Sequence, residues 1–486
     1  MSDELAKLDA IAQAELVRSG EVSAAELVDA AIERLERRNP SLNAVIHPAL
    51  ERARETARSS SLASGPFRGV PFLMKDIGGE EAGQPLHAGM GFLKRAGWVA
   101  TQDSYFTQKI AAGGLISLGR TNTPELALMP TSEPEAYGPT RSPWNTQHSP
   151  GGSSGGAAAA VAAGIVPAAH ASDGGGSIRG PASMCALVGL KPTRGRNSFG
   201  PGLGERWNGL SCEFAVTRSV RDAAALLDLV AGPMPGDPYF AAPPQQSFAS
   251  ALHEPGKPLR VGIMREAPRG IDVHPEMVEA VERCALRLEA LGHKVEDSRP
   301  NALADPTSVV HYVITVQANV ARALDAWGEK VGRVVEQSDV EPLTWELASR
   351  GREISAPQLL ATVEAVHRFG RQLAEWWRGG FDLLLTPTQA APPPRIGTLG
   401  STPEEPLRGF VDSAPYGVFT LPFNLSGQPA ISLPGGWTAG DEKTPAGLPL
   451  GIQLVAPYGA ERLLLRAAAE LEQAEPWANR LPPLFG

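Results

Sequence analysis

The stretch ASDGGGSIRGPAS, residues 171–183, presents a serine, Ser177, directly after three glycines. Glycines let the backbone turn sharply and direct several N–H groups at one point, which is the geometry of an oxyanion hole for acyl transfer. We expect Ser177 to be a nucleophile, with the N–H groups of Gly174, Gly175, Gly176 and Ser177 forming that hole. Because no histidine follows close behind, the serine needs another base.

Lys75 is a candidate for that base because it ends the apolar run GVPFLMKDI, residues 69–77, which has the composition of a buried strand. A serine hydroxyl needs a base to become a nucleophile, and a lysine can serve when burial lowers its pKa. The alternative is a structural role, in which Lys75 forms an ion pair with a carboxylate such as Asp76.

A second Gly/Ser segment, GGSSGG at residues 151–156, precedes the helix-forming run AAAAVAA at residues 157–163. Ser153 would then lie at a helix N-terminus, where its hydroxyl can relay a proton between Lys75 and Ser177. Each Gly/Ser segment can also be interpreted as a flexible loop. A phosphate-binding loop is disfavoured because neither segment continues as GK[ST] or matches GxGxxG.

The elements around these residues predict an α/β fold. IVPAAHAS, residues 165–172, has the pattern of a strand that leads into the glycines. A strand at residues 259–266, a helix at 275–291 and the strand HKVED form a β-α-β unit, which implies parallel strands. Near the N-terminus, Ser23 and Glu26 predict a capping box and a surface helix.

Composition and charge exclude several classes of function. The chain is 42% hydrophobic and 20% charged, which is ordinary for a globular protein. The net charge is −9 and no run of lysines and arginines occurs, so nucleic acid is not expected as a partner. The polar start MSDELAKLDA and an apolar run of only residues 157–169 predict a cytoplasmic protein that does not bind membranes. Scattered cysteines and histidines give no metal-ligand spacing.

The order of motifs resembles that of the amidase signature family. The segments that carry the resemblance are GVPFLMKDI, SPGGSSGG, GGSIRGPAS, LVGLKPTRG, LLLTPT and FNLSGQPAISLP, which occur in the family's order over nearly the whole chain. The resemblance implies the amidase signature fold, a large mixed β-sheet flanked on both faces by α-helices. It also implies a Ser-(cis-Ser)-Lys catalytic set that needs no cofactor and no metal.

The family's two catalytic serines stand at a fixed spacing, and Ser153 and Ser177 lie 24 residues apart. The resemblance therefore makes Ser153, and not Ser154, the relay. It places Lys75 as the base, Ser177 as the nucleophile and residues 174–177 as the oxyanion hole.

The resemblance also indicates roles for residues around the catalytic set. Ala127, Leu128 and Met129 would line an apolar acyl pocket, although they are also suited to a packed core. Asp173 and Arg179 would fix the glycine loop, residues 174–177, through hydrogen bonds and would not react.

Some positions depart from the family's usual pattern. They are Arg120 in place of a frequent lysine, Gly174 in place of a larger residue, and Ala171-Ser172 before Asp173. None of them removes a catalytic group. We expect the additional glycine to affect rate or substrate range rather than reaction type.

The whole chain, residues 1–486, is interpreted as a single amidase signature domain. Its parts are an N-terminal helical segment (about 1–60), a signature core (about 65–230), a variable substrate-side region (about 232–408) and a C-terminal return to the core (about 409–486).

The expected function is hydrolysis of C–N bonds in small linear or cyclic amides through an acyl-enzyme. Esters and carbamates share that acyl chemistry. Within the family, SEPEAYG, GLKPTRGR and FNLSGQPAISLP are most similar to the subgroup that hydrolyses cyclic nylon-oligomer dimers. The expected partner is a small-molecule amide, and the chain would act as a monomer or homodimer. The alternatives are a glutamine-hydrolysing subunit of a tRNA-dependent amidotransferase and a non-catalytic binding protein with the same fold.

Overall fold

A mixed β-sheet forms the centre of the computed structural model, which describes residues 2–442 and 444–486. The strands are β1 (Val45–Pro48), β2 (Pro71–Lys75), β3 (Ile116–Thr121), β4 (Ala168–Asp173), β5 (Val188–Lys191), β6 (Cys212–Thr217), β7 (Arg260–Ile263), β8 (Lys294–Asp297), β9 (Leu383–Pro387), β10 (Ala430–Trp437) and β11 (Pro449–Val455). Within the described residues, these eleven strands lie in the order β1-β3-β2-β4-β6-β5-β10-β11-β9-β7-β8. Strands β3, β2 and β4 are mutually parallel, as are β9, β7 and β8, and the other neighbours are antiparallel.

α-Helices flank this sheet, which confirms the predicted α/β class. They are α1 (Ser2–Lys7), α2 (Ala10–Ser19), α3 (Ala24–Leu42), α4 (Leu50–Arg58), α5 (Gly91–Ala96), α6 (Tyr105–Ala112), α7 (Gly155–Ala162), α8 (Arg179–Cys185), α9 (Val220–Val230), α10 (Pro275–Ala290), α11 (Thr307–Val331), α12 (Pro342–Glu353), α13 (Ala356–Arg378), α14 (Arg408–Asp412), α15 (Ala414–Gly417), α16 (Leu421–Ser426) and α17 (Glu461–Ala474). Of the helices in the described residues, none is both long and apolar enough to cross a membrane.

The structure contains elements that local sequence patterns predict. The Ser23 hydroxyl accepts a hydrogen bond from the Glu26 N–H, and the Glu26 carboxylate accepts one from the Ser23 N–H, so the capping box starts α3 as expected. Strands β7 and β8 pair in parallel on either side of α10 in the chain, which confirms the β-α-β unit. Strand β7 is shorter than the predicted strand at residues 259–266.

The position of the site follows from the pairing of β2 with β4. These neighbouring strands are parallel, with Phe72 opposite Ala168 and Leu73 opposite Ala169. Their carboxyl ends therefore meet at the same edge of the sheet, where β2 ends at Lys75 and β4 ends at Asp173. The loop after β4 carries the glycines and Ser177. Helix α7 begins directly after the GGSS segment and is buried along its length.

Candidate active site

Lys75 lies at the carboxyl end of β2, and its side chain is completely buried. Its Nζ donates hydrogen bonds to the hydroxyl oxygens of Ser153 at 2.6 Å, Ser154 at 2.9 Å and Ser172 at 3.0 Å. Sequentially distant segments, β2, the GGSS turn and β4, thus converge on one amine.

The alternative ion pair with Asp76 is not formed. The Asp76 carboxylate instead accepts hydrogen bonds from the backbone N–H groups of His87 at 2.9 Å and Gly89 at 3.1 Å. The Asp76 carboxylate therefore orders the chain that follows β2, and the Lys75 amine forms its hydrogen bonds with serine hydroxyls.

Burial lowers the pKa of Lys75 from its ordinary value of 10.5 to about 7. The negative charges of Asp173 and Glu213 oppose this shift, and the positive charge of Arg206 adds to it. An appreciable fraction of the amine is therefore neutral near pH 7. A neutral amine has a lone pair that can accept a proton, and the Ser153 hydroxyl is the nearest of its serine neighbours.

The two adjacent serines of the GGSSGG segment have different surroundings. The Ser154 hydroxyl donates to the Ser172 carbonyl oxygen and accepts from the Ser172 N–H, each at 3.3 Å, so it bonds to the backbone of β4. Ser153 lines a cavity that Ser177 also lines, and the peptide bond between Gly152 and Ser153 is cis. Ser153 is thus the serine of this segment that contacts both Lys75 and the cavity.

A residue that the sequence analysis missed holds this segment in place. The Ser132 hydroxyl donates to the carbonyl oxygens of Gly151 at 3.1 Å and Ser153 at 3.4 Å, and it accepts from the Gly155 N–H at 3.1 Å. A lone serine in a loop carries no sequence signal for such a role, because the contact depends on tertiary packing.

The predicted support residues, Asp173 and Arg179, form a fully buried ion pair next to the glycine loop. The Asp173 carboxylate accepts from the Gly176 N–H at 2.8 Å, the Ile178 N–H at 3.1 Å, and the Arg179 Nε and Nη2 at 3.0 and 2.9 Å. The Asn424 side chain donates to the same carboxylate at 2.8 Å. Burial acts to raise the pKa of Asp173, but the Arg179 charge and the hydrogen bonds from Arg179 and Asn424 together outweigh it and hold that pKa well below its ordinary value.

The hydrogen bond to Asp173 changes the expectation for the oxyanion hole. Because the Gly176 N–H is donated to Asp173, it is not free in this conformation to bind an oxyanion. Among the described residues, the N–H groups of Gly174, Gly175 and Ser177 have no hydrogen-bond acceptor in the protein. These amides are the open donors of the loop.

Side chains from other elements occupy the space that each glycine of the loop leaves. A Cβ placed on Gly174 would lie 2.9 Å from Cζ3 of Trp207, and one on Gly175 would lie 2.5 Å from the Tyr312 hydroxyl oxygen. A Cβ on Gly176 would meet Oγ1 of Thr420. Gly176 also has a φ of 140°, which disfavours any other residue. The glycines therefore admit close neighbours as well as permitting the turn.

The residues with open amides, together with Ser153, line a cavity of about 420 Å³. All of the predicted pocket residues, Ala127, Leu128 and Met129, line it. The chain places them there through a 3₁₀ turn, Glu125–Ala127, in which Leu126 and Ala127 have positive φ angles. Helices α11, α12 and α14 contribute further lining residues.

Comparison with known proteins places this geometry in a family. The amidase family model matches residues 26–465. The chain belongs to the amidase signature family. It is 44% identical over 485 residues to the 6-aminohexanoate-cyclic-dimer hydrolases of Paenarthrobacter ureafaciens and Pseudomonas sp. (strain NK87), covering 98% of this chain and 97% of each relative. The structure of 6-aminohexanoate cyclic dimer hydrolase complexed with substrate matches with a TM-score of 0.94 and 42% identity, over 99% of this chain and 100% of that chain.

These findings confirm the predicted family, its subgroup resemblance and the amidase class of enzyme. They also confirm the amidase signature fold, a large mixed sheet with flanking helices.

The cavity of this amidase carries positive charge that the sequence analysis did not identify. Arg206, Arg269 and Arg350 line it, and within the described residues no Asp or Glu does. Arg206 pairs with Glu80 at 3.1 Å and Arg350 with Glu346 at 2.7 Å. Arg269 has no hydrogen-bond or ion-pair partner in the described part of the chain. Its guanidinium is left available to a bound molecule.

Proposed function

We propose that this amidase hydrolyses C–N bonds of small linear or cyclic amides through an acyl-enzyme on Ser177, with Lys75 as the base and Ser153 as the proton relay. The observation that carries the proposal is the buried Lys75 amine. Its pKa is lowered to about 7, and it lies 2.6 Å from a serine hydroxyl on the cavity that Ser177 also lines.

Acylation begins when neutral Lys75 takes a proton from Ser153 while Ser153 takes the proton of Ser177. The Ser177 oxygen then attacks the amide carbon, and the negative charge on the carbonyl oxygen is held by the open N–H groups of the glycine loop. The proton returns through Ser153 to the leaving nitrogen, the C–N bond breaks, and an amine departs.

Deacylation uses the same relay, with water in the place of Ser177. Water gives a proton through Ser153 to Lys75 and attacks the ester carbon of the acyl-enzyme. Collapse of the second tetrahedral intermediate releases a carboxylic acid and returns the proton to Ser177. The Asp173–Arg179 pair holds the loop in place throughout and takes no part in proton transfer.

The cavity supports substrates of modest size with an apolar acyl chain. Its volume of about 420 Å³ lies within the range of roughly 300–1,000 Å³ that binds drug-sized ligands. Its apolar surface comes from side chains that include Leu126, Leu128, Met129 and Trp207. The relatives are named for 6-aminohexanoate cyclic dimer, and we propose this compound and linear amides of similar length as substrates. Esters and carbamates with the same acyl group would form the same acyl-enzyme.

A substrate panel with a covalent probe tests this function. The panel contains 6-aminohexanoate cyclic dimer, linear amides, and esters and carbamates with matched acyl groups, and the probe is a fluorophosphonate located by peptide mass spectrometry. We expect hydrolysis of amides and labelling of Ser177. If every compound is stable and Ser177 is unlabelled, a non-catalytic binding protein becomes the better hypothesis. Glutamine hydrolysis that requires an added partner protein would instead support the amidotransferase alternative.

A further inference from the structure

Tyr312, on α11, lies directly against the glycine loop. A Cβ on Gly175 would be 2.5 Å from its hydroxyl oxygen and 3.2 Å from its Cζ, so the phenol fills the space beside Gly175 that a side chain would occupy. Its ring packs against two clusters of buried apolar side chains, which Trp207 also contacts. The end of the phenol is therefore held next to a loop residue whose N–H is open.

The Tyr312 hydroxyl has no hydrogen-bond partner in the described part of the chain, although the residue lines the cavity. The neighbouring hydroxyl of Thr420 donates to the Gly175 carbonyl oxygen at 2.6 Å, so that acceptor is already engaged. A phenol in a largely apolar site loses free energy if its hydroxyl has no partner. A molecule bound in the cavity can supply that partner.

The protonation state of Tyr312 suits a hydrogen-bond donor. Burial raises the pKa of its phenol, and the negative charge of Asp173 raises it further. The hydroxyl therefore stays protonated at the pH values at which Lys75 becomes neutral. A phenol in this state can donate a hydrogen bond to a developing oxyanion without transferring its proton.

We propose that the Tyr312 hydroxyl is a further catalytic group, which donates a hydrogen bond to the reacting carbonyl oxygen beside the Gly175 N–H. This inference rests on the proposed function, because it assumes that Ser177 attacks a carbonyl carbon. The Tyr312 hydroxyl also replaces a donor that the hole lacks, because the Gly176 N–H donates to Asp173 and is unavailable to the oxyanion. The hole then combines backbone amides of the loop with one side-chain donor from α11.

The substitution Tyr312→Phe removes the hydroxyl and keeps the ring that packs against Gly175. We expect kcat to fall roughly 10- to 100-fold with little change in KM, because an oxyanion donor acts mainly in the transition state. Tyr458→Phe is the matched control. Its hydroxyl donates to the Arg194 carbonyl oxygen and lies outside the cavity, so kcat should be unchanged. A kcat for Tyr312→Phe equal to that of the wild type would overturn the inference.

Inhibitor binding distinguishes a catalytic donor from a residue that only packs. A trifluoromethyl ketone with the substrate's acyl group forms a tetrahedral adduct with the nucleophilic serine, and its affinity should fall with kcat in Tyr312→Phe. Binding of intact substrate should be the same in Ser177→Ala and in the double variant Ser177→Ala/Tyr312→Phe. Equal losses in adduct affinity and in substrate affinity would show a packing role and contradict the proposal.

A second variant keeps the proposal testable if Tyr312→Phe does not fold. A tetrafluorinated tyrosine at position 312 retains the hydroxyl but makes it far more acidic than an ordinary phenol, which offsets the effect of burial on its pKa. Activity of this variant should decline at lower pH than that of the wild type, because a phenolate cannot donate a hydrogen bond. An unchanged alkaline limb would overturn the inference. If the wild type itself hydrolyses nothing in the panel and Ser177 is unlabelled, the proposed function has failed rather than the role of Tyr312.

Discussion

The Nζ of Lys75 and the Oγ of Ser153 lie 2.6 Å apart, the shortest of the contacts between this buried lysine and its serine neighbours. The lysine ends β2 and the serine lies just before α7, 78 residues away in the chain. The parallel pairing of β2 with β4 brings Lys75 to the same edge of the sheet as the start of the loop that carries Ser177.

The relay assignment predicts different outcomes for adjacent serines. Ser153→Ala should lower kcat by about 10²- to 10⁴-fold because it removes the path of the proton. Ser154→Ala should mainly lower the melting temperature, because it removes hydrogen bonds to the backbone of Ser172. Steady-state kinetics and thermal unfolding of both variants provide the test. A folded Ser154→Ala protein with the larger loss of kcat would show that the relay is Ser154.

The lowered pKa of Lys75 predicts an acidic limb in the pH profile. Activity should rise as the pH passes about 7, because the base works only in its neutral form. Lys75→Arg should be inactive at every pH tested, since a guanidinium stays protonated. The profile of kcat/KM against pH measures this directly. A wild-type profile that is flat across this range would exclude a lysine base.

The same pKa shift predicts how stability depends on pH. The pKa of Lys75 is lower in the folded chain than its ordinary value of 10.5, so the unfolded chain binds more protons between these two values. Stability from this group therefore rises with pH across that window, and the cost of the buried charge is full below about pH 7. Lys75→Met should raise the melting temperature most on the acidic side, and the gain should shrink towards pH 10.5. A difference that is constant with pH would contradict the linkage.

Gly174 departs from the family's usual pattern. We predict that a glycine is needed at this position because Trp207 occupies the space that a side chain would take. Because Gly174 does not have a positive φ, alanine fits the backbone there, but its Cβ would lie 2.9 Å from the indole. Gly174→Ala should displace Trp207, cost about 1–3 kcal/mol through overpacking, and lower kcat/KM. Adding Trp207→Leu should recover the free energy of unfolding, measured by denaturant titration. No recovery would mean that the glycine is needed for another reason.

The unpartnered Arg269 predicts a preference for substrates with a negative group. An amide that carries a carboxylate should have a KM about 2- to 5-fold lower than its neutral methyl ester analogue, as expected for an exposed ion pair. Arg269→Gln should remove this difference, whereas Arg350→Gln should have a smaller effect because Arg350 already pairs with Glu346. Equal KM values for the two substrates in the wild type would show that Arg269 does not contact them.

The sequence predicts the parts of the site that depend on local pattern. The apolar run before Lys75 indicates a buried strand, and the helix-forming alanines after GGSSGG indicate the start of α7. The neighbours of the glycine loop could not be predicted in this way. Trp207, Tyr312 and Thr420 come from separate segments without a distinctive motif, and only tertiary packing brings them to the loop.

The hydrogen-bond partners within the glycine loop also could not be predicted from the sequence. The run of glycines before Ser177 suggested that each backbone N–H would face the substrate. The structure shows that Asp173, only a few residues earlier, accepts the Gly176 N–H. A sequence gives the donors and acceptors of a tight turn but does not determine which of them pair.

The acyl-enzyme itself provides the most direct test of the central claim. A slowly deacylated carbamate or ester is incubated with the wild type, and the modified peptide is identified by mass spectrometry. The account predicts a single acyl adduct on Ser177, formed much more slowly in Lys75→Met and in Ser153→Ala. Continued turnover without an adduct on Ser177, or an adduct on Ser153 or Ser154 instead, would contradict it.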